Sequence, residues 1–124
     1  MNNDKIVTIN ELKNKVQKFC EIRDWDQFHN PKDLAIGIST EANELLDIFR
    51  FKSEKQMQDM LQDVNKREHI EEELADTLFF ILRFAQMNDI DLSDILESKI
   101  KKNNEKYPVE KSKGKNDKYT EFVL

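Results

Sequence analysis

Apolar residues recur at steps of three and four along the chain, and this spacing constrains the fold more than any other feature. Ile9, Leu12, Val16 and Phe19 form the first such stripe, which would lie on one face of an α-helix. The 124 residues include only two Gly and two Pro, a scarcity that suits helices joined by few turns. The sequence therefore predicts an all-α protein with the layout of a four-helix bundle.

Capping signals mark where the first two helices begin. The segment Thr8–Glu11 has the form of a capping box, so the first helix should run from there to about Arg23. Asn30 followed by Pro31 is typical of an N-cap with proline at the first helical position. The second helix should extend from there to about Phe51.

A third helix is predicted from about Lys66. Residues 53–68 before it are polar and indicate a short helix or an ordered crossover. After Leu74 the third helix is apolar on nearly every side, which is typical of a central helix or of one in an oligomer interface.

The fourth helix should begin after Asp91, a residue suited to an N-cap. It should end at Tyr107, because Pro108 disfavours helical geometry in the residue before it. We therefore expect a helical domain over residues 1–108 and a charged C-terminal tail over residues 109–124.

Charge and composition narrow the class of partner. A net charge of -5 disfavours nucleic-acid polymers, which require basic patches. Cys20 is the only cysteine, so no disulfide can form within the chain. No apolar stretch approaches the roughly 18 residues that span a bilayer. We expect a cytoplasmic protein without membrane contact that forms a homodimer or homotetramer, since one small core buries only about two thirds of the unfolded surface.

Two pairs of acidic residues stand out on the second and third predicted helices. Glu41 and Glu44 are three residues apart, as are Glu73 and Asp76, so each pair shares a helix face. Glu41 interrupts the apolar stripe of its helix, and Asp76 lies among apolar neighbours. Both carboxylates are therefore predicted to lie in the interior, where an unpaired charge costs several kcal/mol.

A divalent cation would offset this cost if the two helices pack side by side. Magnesium suits such an oxygen-rich cage, because it accepts a few carboxylates and leaves positions for water and phosphates, and manganese could replace it. The plainer alternative is that these glutamates are solvated charges on a helix face. Two matched pairs with interior members favour the metal site.

Two other groups of polar and aromatic residues are candidates for contacts to a ligand. Lys99 and Asn103 fall on the inward stripe of the fourth helix with Tyr107 nearby, and they could bind phosphates. A solvated basic face near the helix C-terminus is the alternative. Trp25 and His29 lie in a polar segment between helices, where a flat ring could stack on a base.

The order of these motifs resembles a known family. Glu41-x-x-Glu44 followed by Glu73-x-x-Asp76 is similar to the signature of the MazG-like all-α nucleoside triphosphate pyrophosphohydrolases. The run from Asp24 to His29 resembles their dCTP pyrophosphatase branch. Related enzymes often carry tryptophan where Phe51 stands, a departure that bears on the base preference.

This resemblance implies a Mg²⁺-dependent enzyme that hydrolyses a nucleoside triphosphate to the monophosphate and pyrophosphate. The four carboxylates would hold the metal, and Glu41 or Glu44 would act as the general base. Trp25 and His29 would border the base and sugar. A pyrimidine deoxynucleotide would be the preferred substrate, in a role that clears the nucleotide pool.

Two other functions are compatible with parts of the pattern. A di-iron bundle also clusters acids on facing helices, but it requires Glu-x-x-His motifs, which this sequence lacks. A non-enzymatic helical interaction module would explain the apolar third helix. It would not explain why Glu41 and Asp76 sit among apolar residues.

Overall fold

The computed structural model of the chain describes residues 3–122, and within this range all regular structure is helical. The α-helices are α1 (Ile9–Glu21), α2 (Pro31–Phe49), α3 (Glu54–Gln62), α4 (Val64–Met87), α5 (Leu92–Lys106) and α6 (Val109–Ser112). The predicted all-α class is thus confirmed. The chain divides into two compact units, one up to Asp89 and one from Ile90 onward.

The predicted helix starts are confirmed by their caps. In each case the backbone amide three residues later donates a hydrogen bond to the capping side chain. The distance is 3.1 Å at Thr8, 2.8 Å at Asn30 and 2.9 Å at Asp91. Each bond satisfies an amide that has no partner inside its helix. Local chemistry therefore fixes where α1, α2 and α5 begin.

The segment between α2 and α4 forms a short helix, one of the two alternatives that the sequence indicated. Ser53 and Gln56 form a complete capping box, which begins α3. Asp63 then caps α4 by accepting from the amide of Lys66 at 3.0 Å. Because of this cap, α4 begins at Val64 rather than at about Lys66.

In the first unit, α4 packs against α1, α2 and α3. Leu34 of α2 and Leu82 and Ala85 of α4 are buried in its core. A Cβ atom added to Gly37 would lie 2.6 Å from the ring of Phe80, so glycine is required for this close approach of α2 and α4. This contact places the two acid-bearing helices side by side, as the metal-site hypothesis requires.

The second unit contains α5, α6 and a 3-10 turn at Tyr119–Glu121. The ring of Tyr107 meets those of Tyr119 and Phe122 edge-on, with centroids 5.9 and 5.7 Å away. Residues beyond the predicted boundary at 108 therefore contact the end of α5. Within 3–122, none of the helices has both the length and the hydropathy needed to cross a membrane.

Candidate metal and nucleotide site

The carboxylates of α2 and α4 converge. One oxygen from each of Glu41, Glu73 and Asp76 lies within 4.8 Å of the other two. Glu41 is on α2, whereas Glu73 and Asp76 are on α4, and the close packing of α2 on α4 brings them together. Oxygen donors grouped in this way suit a hard divalent cation.

Two oxygens of this cluster have no hydrogen-bond partner among the residues that the structure describes. They are the buried Oε2 atoms of Glu41 and Glu73. A buried polar atom without a partner is costly, and a carboxylate oxygen is a ligand for Mg²⁺. The residues present therefore fit a bound dication.

Burial within the cluster differs in one respect from the sequence prediction. Glu41 is half-buried, as its place in the stripe of α2 predicted, but Asp76 is exposed and Glu73 is half-buried instead. The apolar neighbours Leu74 and Leu78 are themselves 57% and 45% exposed. Apolar flanks therefore do not mark the interior at this turn of α4, which is why the prediction for Asp76 was wrong.

The cluster carries excess negative charge. Burial raises the pKa of Glu41 to about 7, and a hydrogen bond shared with Glu44 and the nearby negative charges add to the effect. The pKa of Glu73 is also raised, first by its hydrogen bond with Glu44 and then by burial and charge. A dication would reverse these effects by favouring the ionised carboxylates.

An open groove of about 1120 Å³ adjoins the carboxylates. Glu44 and Glu73 line it together with the apolar side chains of Leu46 and Ile48 and the imidazole of His69. The groove thus combines an acidic edge with an apolar wall. Such a combination can take a ligand that has a charged part and a flat apolar part.

Trp25 and His29, predicted near the base, are neighbours in the segment between α1 and α2. Their ring centroids are 6.3 Å apart, and Trp25 also meets Phe19 edge-on at 5.7 Å. Phe28, in the same segment, is 62% exposed. Phe19 of α1 also meets Phe79 of α4 edge-on at 5.7 Å, so it contacts both this segment and α4.

The structure adds Arg83, which the sequence analysis did not single out. Its side chain is 1% exposed on α4 and donates hydrogen bonds to His29 Nδ1 at 2.9 Å and to Gln86 Oε1 at 2.7 Å. It also forms an ion pair with Asp26. The available signal was an arginine directly after the apolar run 78–82.

The residues predicted to bind phosphates all belong to the second unit. Lys99 is exposed on α5, Asn103 is half-buried on the same helix, and Tyr107 caps its C-terminus. Tyr107 also packs on the aromatic rings described above. The phosphate-binding role of these three residues stays a prediction.

The fold and the site together define an all-helical protein with a carboxylate cluster of the cation-binding kind. The MazG-like family model matches residues 36–122, a range that includes the four carboxylates and the three residues predicted to bind phosphates. The chain therefore belongs to the MazG-like family, as the resemblance in its motifs implied.

Relatives and a solved structure agree with this assignment. The chain is 32% identical to dCTP pyrophosphatase 1 of Mus musculus over 115 residues, which cover 93% of this chain and 68% of the mouse protein. It is 29% identical to dCTP pyrophosphatase 1 of Homo sapiens over the same shares. The crystal structure of a pyrophosphatase from Archaeoglobus fulgidus matches with a TM-score of 0.75 and 34% identity, covering 81% of this chain and 92% of that one.

Proposed function

We propose that the chain is a Mg²⁺-dependent pyrophosphohydrolase that converts a nucleoside triphosphate and water to the monophosphate and pyrophosphate. Family membership, together with relatives that are named as pyrophosphatases, confirms the reaction class predicted from the sequence. The observation that carries the metal-dependent mechanism is the three-carboxylate cluster with its two buried, unpartnered oxygens.

We assign the metal to Glu41, Glu44, Glu73 and Asp76. Bound Mg²⁺ would neutralise phosphate charge, orient the triphosphate and increase the acidity of a bound water. Mn²⁺ could replace it at the same oxygen donors. The raised pKa values of Glu41 and Glu73 support the assignment: burial at Glu41, the hydrogen bond with Glu44 at Glu73 and the nearby negative charges all disfavour ionised carboxylates, which a bound cation would favour.

Glu41 and Glu44 are the candidates for the general base, and we favour Glu44. Its carboxylate is exposed and lines the groove, so a water can reach it. It would accept the proton of the water that attacks the α-phosphorus, and pyrophosphate would leave. Glu41 is half-buried and better placed to hold the cation.

The remaining substrate contacts follow the sequence hypothesis. Lys99, Asn103 and Tyr107 would bind the phosphates, and Trp25 and His29 would border the base and sugar. The name of the mammalian relatives supports a pyrimidine deoxynucleotide as the preferred substrate. Clearing unwanted nucleotides from the cytoplasmic pool is the corresponding cellular role.

We also propose that the enzyme works as a homodimer or homotetramer. Several large apolar side chains on α2 and α4 are exposed in the single chain: Ile36, Leu46, Leu74 and Leu78. An apolar surface on two packed helices is typical of an interface with another protein. A second copy of this chain is the occupant that we propose.

The proposed activity is tested by measuring pyrophosphate release with Mg²⁺ across a panel of canonical and modified triphosphates. Asp76→Asn should lower turnover at least about 100-fold, the upper end of what loss of an outer-shell partner costs a metal site. The matched control is Glu72→Gln, an exposed residue on the same helix, which should keep full activity. Turnover that is absent with every triphosphate, or unchanged by Asp76→Asn, would contradict the proposal.

A further inference from the structure

Arg83 is a buried charged residue that has no role in the proposed reaction. Its side chain is 1% exposed, and its three partners are Asp26, His29 and Gln86. Two of these partners lie more than fifty residues earlier in the sequence, in the segment between α1 and α2. A buried arginine needs such partners. Its contact with His29 also determines which ring nitrogen of His29 carries a proton.

A guanidinium can only donate hydrogen bonds, so the atom that it meets on His29 must accept. That atom is Nδ1, which lies 2.9 Å from Arg83 Nε. The lone pair of Nδ1 is therefore occupied, and a neutral imidazole then carries its single proton on Nε2. Burial and the charge of Arg83 also lower the pKa of His29, which keeps the ring neutral.

The other ring nitrogen remains available to a ligand. Between residues 3 and 122, no hydrogen bond to His29 Nε2 is formed, and the half-buried ring lies edge-on to Trp25. We propose that Arg83 is a positioning residue, which holds His29 as the Nε2–H tautomer so that it donates a hydrogen bond to an acceptor on the base or sugar. This inference rests on the proposed function, in which His29 borders the nucleotide.

The same arginine connects this contact to the helix of the metal site. Arg83 follows Asp76 by seven residues, so both project from one side of α4, about 10 Å apart along the helix axis. Asp26 and His29 are therefore attached directly to the helix that carries two of the four carboxylates. Arg83 would fix the segment with Trp25 and His29 relative to that helix.

The tautomer can be observed directly in the wild-type protein by ¹⁵N NMR of the imidazole nitrogens. The chain has only two histidines, and His69→Gln assigns the signals of His29. At pH 7.5 we expect a protonated Nε2 and an unprotonated Nδ1. A proton on Nδ1, or on both nitrogens, would overturn the inference, and this result does not depend on activity.

Steady-state kinetics with dCTP test the role of the tautomer. His29→Ala should raise KM about fivefold, corresponding to the loss of one neutral hydrogen bond, with kcat nearly unchanged. Arg83→Met should raise KM similarly and add nothing further in the His29→Ala background. The matched control Gln86→Ala removes the Arg83 partner on α4 itself and should leave KM unchanged. Additive effects, or an unchanged KM in His29→Ala, would overturn the inference even if Arg83→Met does not fold.

These experiments distinguish an acceptor on the base from one on the sugar. They also distinguish a failure of the proposed function from a failure of the role proposed for Arg83 and His29. If the KM effect of His29→Ala disappears with 2′,3′-dideoxy-CTP, the acceptor is the sugar hydroxyl, and if it persists, the acceptor is on the base. A wild-type protein that releases no pyrophosphate from any triphosphate contradicts the proposed function but leaves the tautomer intact. An active wild type with an unaffected His29→Ala variant contradicts only the role of Arg83 and His29.

Discussion

Glu44 differs from its three partner carboxylates in position. It lies outside the group whose oxygens are within 4.8 Å of one another, yet it lines the groove. If Glu44 is the general base, Glu44→Gln should lower kcat by about 10²- to 10⁴-fold even at saturating Mg²⁺. Glu41→Gln should mainly raise the Mg²⁺ concentration needed for half-maximal turnover. Pyrophosphate release measured against Mg²⁺ concentration separates the two roles, and the opposite pattern would exchange them.

The raised pKa of Glu41 predicts how the metal-free protein responds to pH. The folded state keeps the Glu41 proton up to a pKa of about 7, whereas the ordinary pKa of a glutamate is 4.5. This contribution to the free energy of unfolding is fully present below pH 4.5 and is lost as the pH rises to about 7. Urea unfolding in EDTA should show the decline, and Mg²⁺ should stabilise more at pH 8 than at pH 6 because it binds carboxylates.

The matched control for this pH dependence is Glu41→Gln, which removes the titrating group but keeps its shape. In this variant, the free energy of unfolding should decline less between pH 4.5 and 7 than it does in the wild type. An identical pH dependence in both proteins would show that Glu41 titrates normally.

At the residue scale, local pattern predicted part of the site. Glu41 was recognisable because it interrupts an apolar stripe, which is a feature of one helix. The exposure of Asp76 was not predictable from the sequence, since it depends on which other helices cover α4. Arg83 was missed because its partners Asp26 and His29 are more than fifty residues away, and spacing along one helix cannot reveal them.

The helices themselves were predictable where capping side chains mark their starts. Capping is a contact between residues three apart, so Thr8, Asn30 and Asp91 were recognisable in the sequence. The same rule applied to Ser53 and Asp63 would have placed α3 and the start of α4. The contact of Gly37 with Phe80 was not predictable, because it joins helices that are distant in sequence.

That contact gives a prediction for the packing of α2 on α4. Gly37→Ala would place a methyl group 2.6 Å from the Phe80 ring, and overpacking of this kind typically costs about 1–3 kcal/mol. The higher helix propensity of alanine offsets about 1 kcal/mol of it. Thermal unfolding should therefore show a destabilised variant with weaker Mg²⁺ binding.

Two further variants isolate the steric cause. Ser39→Ala changes an exposed position on the same helix and should leave stability nearly unchanged. Phe80→Leu combined with Gly37→Ala should recover part of the loss, because the smaller side chain leaves room for the methyl group. A Gly37→Ala variant as stable as wild type would mean that α2 and α4 are not so closely packed.

For the molecule as a whole, the all-α class and the family followed from the order of motifs along the chain. The division into two units near Asp89 did not, because it depends on contacts between elements. The family match extends across both units, from residue 36 to residue 122. Membership is thus a property of the chain rather than of the carboxylate helices alone.

The exposed apolar surface of α2 and α4 predicts self-association. Light scattering should give a mass of two or four times the 14.8 kDa of one chain. Ile36→Lys, in that surface, should lower the mass, because burying a lysine in an apolar interface is unfavourable. Ile22→Lys, at the exposed end of α1, is the control and should not. A wild-type mass of a single chain would contradict the prediction.

Locating the metal is the most direct test of the proposed site. Crystals grown with Mn²⁺ in place of Mg²⁺ allow the ion to be located by its anomalous scattering. The proposed metal site predicts a peak between α2 and α4, bound by carboxylate oxygens of Glu41, Glu73 and Asp76. Carboxylates that point away from each other into solvent, with no peak between the two helices, would contradict it.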